Sequence, residues 1–254
     1  MCRLAAYLGK EITLSVFLQE HEHSLIQQSW APKEMQGGTL NADGYGVSWL
    51  SNENKPCTYK NVLPIWSDTN LDSLGRSLAS QLWLANVRSA TIGQGISEAN
   101  TQPFSKDNLI FTHNGSMKPF NSEIKARFLD ILPATISADI NGDSDSLHLF
   151  ALLKLHLLKQ DSLANAIIGM LDDLKIICNE TVAALLNIII SDGDMLYACR
   201  HALNGNCPSL YYLLKQDGIW IASEPLSQKD AWTTIPNHKF IIFNHTGVVE
   251  EYDL

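Results

Sequence analysis

Paired cysteines are missing from this 254-residue chain. Its five cysteines, Cys2, Cys57, Cys178, Cys199 and Cys207, are odd in number and include no C-x-x-C pair. That argues against a disulfide framework or a zinc knuckle and points to a reducing, cytoplasmic setting. Positive charge is scarce as well. Eighteen Lys and Arg against 27 Asp and Glu leave a net charge of −9 with no basic cluster, and nucleic-acid phosphates would be repelled. The apolar run "VAALLNIII" (182–190) falls far short of the ~20 residues that span a bilayer. The apolar opening is too short for a signal peptide and lacks a small-residue cleavage site, so neither leader nor membrane is expected. No internal repeat, low-complexity tract or linker is present, so residues 1–254 are expected to form one domain.

What is present reads as strands, then helices, then strands. Strands are expected at 2–8, 44–50, 82–88 and 109–113, each bounded by Gly, Asn or Asp. Helical spacing of apolar residues predicts helices at 121–132, 143–160 and 162–177, with Asn121 or Ser122 as the first cap. The last third carries three hairpins, turning at Asp192-Gly193, at Asp217-Gly218 and around His245–Gly247. This order predicts an α+β layered domain rather than an alternating doubly wound one.

Four short stretches could carry chemistry. In "MCRLAAYLG" Cys2 becomes the chain terminus if Met1 is removed, placing a thiol and an α-amine on one residue. That amine titrates near pH ~8, so it could take the thiol proton. The alternative is a core cysteine on a first strand. In "FTHNGSM" (111–117) the Asn114 side chain and the Gly115 backbone N–H could aim two donors at an oxyanion, or form an ordinary Asn-Gly turn. In "ANVRSATIGQG" (85–95) Arg88 ends an apolar strand and, with Ser89 and Thr91, could clamp a carboxylate, or cover a strand edge. In "NGDSDSLHLF" (141–150) Asp143 and Asp145 could cap a helix, or bind a substrate ammonium. An arginine and an aspartate at one site are what an α-amino acid requires. A thiol nucleophile beside them points to glutamine or another γ-glutamyl amide, cleaved through a γ-glutamyl thioester.

With these residues the chain resembles the class II glutamine amidotransferases, a family of N-terminal cysteine hydrolases. The resemblance implies Cys2 as nucleophile, Asn114 and Gly115 as oxyanion donors, Arg88 on the α-carboxylate and Asp145 on the α-amine. His113 and Thr91, beside these groups, join the expected substrate-binding set. It also implies the N-terminal nucleophile hydrolase fold, a four-layer αββα sandwich of two stacked antiparallel sheets flanked by helices.

The stretches 23–50, "LPIWSD" (63–68), "VRSATIGQGISEANTQPF" (87–104) and "ASEPL" (222–226) are similar, more narrowly, to amidohydrolases of ergothioneine biosynthesis. That likeness implies release of glutamate from γ-glutamyl-hercynylcysteine sulfoxide. Aromatic faces hold trimethylammonium groups, so Trp30, Trp49, Trp66 and Tyr45 become candidates for the pocket wall, with core packing as the alternative. Trp30 lies on the segment 20–42, expected to cover that pocket. The chain departs from the family at Leu147, where many members have Glu, and at Ile92, where glutamine-using relatives often have His. His21-x-His23 lacks further ligands at metal spacing and is expected to be a surface pair. No metal and no cofactor are expected, and the partner is a small γ-glutamyl substrate, with homo-oligomer formation left open. The alternatives are a glutaminase subunit supplying ammonia to a synthetase and a non-enzymatic binder of γ-glutamyl compounds.

Overall fold

The computed structural model describes residues 1–35, 38–91 and 93–254, so the departure at Ile92 lies outside the described residues. The chain opens with β1 (Arg3–Thr13), α1 (Leu14–Leu18) and α2 (Leu25–Trp30), followed by β2 (Tyr45–Leu50) and β3 (Pro56–Asn61). Next come α3 (Leu71–Ser77), β4 (Ala79–Val87), β5 (Phe104–Lys106) and β6 (Leu109–Lys118). The helical middle holds α4 (Ser122–Ile131), α5 (Ala134–Ser137), α6 (Asp145–Leu157) and α7 (Leu163–Cys178). The last third is β7 (Ala183–Ser191), β8 (Leu196–Leu203), β9 (Tyr211–Lys215), β10 (Gly218–Ala222), β11 (Thr233–Thr234), β12 (Lys239–Asn244) and β13 (Gly247–Asp253).

The strands form two antiparallel sheets, ordered β11-β9-β10-β1-β4-β2-β3 and β13-β12-β8-β7-β6-β5. Alternation along each strand builds the layers. On β1, Leu4, Ala6 and Leu8 face the second sheet, where Ile110, Ile189, Ala198 and Phe243 meet them. Ala5 and Tyr7 face the other way, onto Phe17, Leu18 and Leu25 of α1 and α2. The outer face of the second sheet, through Phe111, Leu186 and Ile188, packs on α4, α6 and α7. The result is the αββα sandwich of the N-terminal nucleophile hydrolases, as expected.

The three middle helices form where the apolar spacing put them, and each is capped by a side chain. Asn121 accepts from Ile124 N and Ser162 from Asn165 N, filling donors that a helix start leaves open. At α6 the cap is Ser144, which accepts from Leu147 N. Asp143 instead accepts from Gly95 N and Asn100 Nδ2, while Asp145, the first residue of α6, does accept a helix-start N–H, that of Ser146. The three hairpins also form, as β7–β8, β9–β10 and β12–β13.

At one end of the inter-sheet layer the apolar core gives way to amides. Asn86 of β4 donates to Thr112 Oγ1 (3.1 Å), and Asn187 of β7 donates to Asn114 Oδ1 (3.2 Å). Cys2 lies at this end.

Candidate active site

Register assembles the surroundings of Cys2. Arg3 pairs with Val87 on β4, so the next antiparallel step sets Cys2 beside Arg88. On the other flank Ala5 pairs with Ala222 of β10, which brings Glu224 opposite Arg3. From the second sheet, Asn114 donates through Nδ2 to the Cys2 carbonyl, and Arg3 Nε donates to the same oxygen at 2.7 Å. The thiol points at the Ser89 carbonyl, 3.8 Å away. Burial pushes the Cys2 thiol up from its ordinary value. The hydrogen bond to the Ser89 carbonyl, the chain's amine and Arg88 pull it back down, while Asp145 adds to the rise. In this chain the amine belongs to Met1, and burial lowers it below its usual 8.0.

Arg88 is 3% exposed, yet no carboxylate pairs with it among the described residues. Its guanidinium is held by backbone carbonyls alone, Gly95 O at 3.0 Å and Asp43 O at 3.5 Å. The backbone around it is pinned in turn. Asp43 N donates to Arg88 O, Arg88 N to Gly44 O, and Ala90 N to the Asp43 carboxylate at 2.7 Å. Gly44 makes that turn with φ +107°, a region that other residues avoid.

Asp145 is the mirror case. It is 5% exposed and has no cationic partner among the described residues. It accepts from Met117 N (2.8 Å) and Ser146 N (2.8 Å), which hold the carboxylate in place without neutralising it.

His113, expected to bind substrate, has its ring hydrogen-bonded to Ser146 of α6 and to the Leu185 carbonyl. Strand alternation aims Asn114 between the sheets, so its neighbour His113 faces the helices. Burial pulls its imidazole below the ordinary range, despite the opposing effects of Asp145 and the Leu185 carbonyl, and keeps it neutral. Nε2–H must then donate to Leu185 O (2.9 Å), and Nδ1 accepts from the Ser146 hydroxyl (2.9 Å). Gln102 completes the set, donating to Ser146 Oγ and His113 O and accepting from His113 N. His113 thus braces the first turn of α6, which carries Asp145. It also explains Gly115: any Cβ there would collide with the Leu185 carbonyl and the His113 ring.

Thr91 is half-buried and opens, with Met117 and Lys118, onto a cavity of about 240 Å³. Trp30 ends α2 with about half its surface exposed (48%), and it makes none of the hydrogen bonds or ring contacts that knit the Cys2 cluster. Trp66 is exposed, Trp49 packs on Trp83 and Tyr45 is buried with its hydroxyl on Asp68, so these three do not form an aromatic cage. Leu147 packs into the helix-side core.

Sequence reading missed the Glu224 hub. This carboxylate, 1% exposed, accepts from Arg3 Nη1 (3.0 Å), His23 Nε2 (2.8 Å), Lys33 N (2.8 Å) and Glu34 N (2.9 Å). Burial works against its charge, but His23, the two backbone N–H groups and Arg3 outweigh that and hold its carboxyl below the usual range. His23 is therefore no surface residue, and His21 stacks edge-on against Trp220 instead of joining it. The segment 20–42, expected to cover the pocket, contains α2. The stretch after α2 is tied to Glu224 at 33–34 and to the Arg88 turn at 43–44.

A family model for the glutamine amidotransferases class-II matches residues 18–218. The chain belongs to that family. Members are amidohydrolases, and this chain is an enzyme of that kind. It is 30% identical over 250 residues to "Gamma-glutamyl-hercynylcysteine sulfoxide hydrolase" of Mycobacterium tuberculosis, covering 98% of this chain and 95% of that one. It is 29% identical to "Probable glutamine amidotransferase DUG3" of Saccharomyces cerevisiae, covering 95% of this chain and 81% of that one. Among solved structures, a class II glutamine amidotransferase domain protein from Silicibacter pomeroyi superposes with a TM-score of 0.73 at 24% identity, over 99% of both chains. Among the described residues no helix is long and apolar enough to cross a membrane.

Proposed function

We propose that this amidotransferase-family enzyme hydrolyses γ-glutamyl amides whose leaving group is an amino-acid conjugate, of the hercynylcysteine sulfoxide type. One observation carries the amino-acid part: among the described residues the buried cation Arg88, in register beside Cys2, has no anion, and the buried anion Asp145 has no cation. Unpaired buried charges cost several kcal/mol each, a cost that a zwitterionic ligand would relieve at both ends. The substrate's α-carboxylate meets Arg88 and its α-ammonium meets Asp145. The side chain then reaches its γ-carbonyl towards Cys2.

Chemistry starts once Met1 is removed. The Cys2 amine takes the thiol proton. The thiolate attacks the γ-carbonyl. Asn114 keeps a second N–H beyond the one given to the Cys2 carbonyl, and with the Gly115 N–H it stabilises the oxyanion. Collapse breaks the C–N bond, the ammonium proton passes to the leaving amine, and a γ-glutamyl thioester remains. Water, deprotonated by the same amine, releases glutamate and frees the thiol.

The leaving-group part is supported by the hydrolase relative, matched along 95% of its length. Steady-state kcat/KM for glutamine, γ-glutamylcysteine and the hercynylcysteine sulfoxide conjugate tests it. The expected order places the conjugate first, because a remote group used for orientation raises kcat as well as affinity. Glutamine hydrolysed as efficiently as the conjugate would replace this reading with an ammonia-supplying glutaminase.

A further inference from the structure

Where the edge strands β3 and β5 of the two sheets meet, Thr58 Oγ1 and Ser105 Oγ lie 3.1 Å apart. Beside this seam opens a cavity of about 630 Å³, lined from β3, β5, α6 and the segment before α6. Its apolar wall is the stacked pair Phe104 and Phe150, with ring centroids 6.0 Å apart. Each ring carries an ammonium: Lys60 Nζ is 5.0 Å from the Phe104 centroid, and Lys154 Nζ is 5.5 Å from that of Phe150. Lys154 and Lys106 share one carboxylate, Asp139, at 2.8 and 3.8 Å.

Lys60 has no ion pair among the described residues, and Glu98 is the one carboxylate that acts on it. Burial has driven its amine down to about 8. Three ammonium groups and two carboxylates, Asp139 and Glu98, thus line the cavity, a local excess of positive charge that favours an anion in a protein whose net charge is −9.

We propose that this cavity is a second ligand site, binding a dianionic group. Lys60, Lys106 and Lys154 hold it at the cavity wall. The cavity does not include Cys2, Arg88 or Asp145, so the inference is independent of the proposed reaction. It does border the active site's support. Glu98 and Ala99 adjoin Asn100, which donates to Gly95 O (2.9 Å) and to Asp143 (2.6 Å), and Gly95 O also receives Arg88.

Calorimetric titration of the intact protein with phenyl phosphate, phthalate and phenol tests this. The site should saturate with phenyl phosphate or phthalate in the millimolar range or tighter, and ignore phenol. Preference for the first identifies a phosphate ester, and preference for the second a dicarboxylate. Lys60→Met keeps the stem on Phe104 and removes the charge, so it should weaken binding about tenfold or more. Basal γ-glutamyl hydrolysis should not change. Lys106→Met, on a half-exposed stem, gives the same reading if Lys60→Met does not fold. Binding should persist in saturating L-glutamate. The proposal is overturned if neither dianion saturates, if folded charge-removed variants bind as tightly as wild type, or if glutamate displaces the probe.

Discussion

Replacing Arg88 by methionine should separate binding from stability. The guanidinium is 3% exposed and rests on carbonyl oxygens alone, the better contact being Gly95 O at 3.0 Å. Losing such a hydrogen bond costs about 1 kcal/mol. Removing a buried, unpaired charge offsets that loss in full, so the folded state should be no less stable than wild type. Substrate suffers differently. Truncating one partner of a buried charge pair costs about 2–5 kcal/mol, or about 30-fold to several thousand-fold in kcat/KM. Urea unfolding followed by fluorescence and glutamate release under steady state read the two quantities on the same preparation. A variant that loses several kcal/mol of stability while its folded fraction keeps wild-type kcat/KM would make Arg88 a structural residue.

Three further outcomes follow from the same geometry. Asp145→Asn should lower kcat/KM on γ-glutamyl amides while leaving glutaryl amides, which lack the α-ammonium, almost unaffected; equal losses on both substrates would place Asp145 outside ammonium recognition. Cys2→Ala should fold with an unchanged circular dichroism spectrum and release no glutamate, and enzyme verified to retain Met1 should also be inactive; full turnover with Met1 in place would dismiss the amine as base. Glu224→Gln should cost about 3–5 kcal/mol, since it strands Arg3 without its anion. The Glu224 carboxyl is depressed in the fold, so its contribution is complete above the unfolded value of 4.5 and fades as pH falls below it. The stability gap between wild type and Glu224→Gln should therefore narrow on acidification from pH 6 towards pH 3, and a constant gap would refute the ion-pair account.

The helices at α4, α6 and α7 were legible because apolar spacing and a capping residue agree there, and the hairpins because Asx-rich turns stand between apolar runs. The short α1–α3, β3 and β5 were not, since three to seven residues carry too little periodicity to register. The orientation of His113 follows from strand alternation once Asn114 is placed: with Asn114 aimed between the sheets, a period of two sends His113 to the other face. Ser144 outcompeted its acidic neighbours as the α6 cap because its hydroxyl faces the Leu147 N–H, which frees Asp145 to accept from Met117. The Glu224–Arg3 pair joins residues 221 positions apart, and no local pattern announces such a partnership. Arg88 and Asp145 were legible as residue types, but their lack of counter-charges emerges only from the folded surroundings.

In the proposed reaction Cys2 carries the γ-glutamyl group of a conjugate substrate. Acid-quenched mass spectrometry of the enzyme during turnover of the hercynylcysteine sulfoxide conjugate tests it directly. A terminal peptide beginning at Cys2 with one γ-glutamyl group on its sulfur is expected, absent from Cys2→Ala. Turnover with no acylated Cys2, or with the acyl group on another residue, would contradict it.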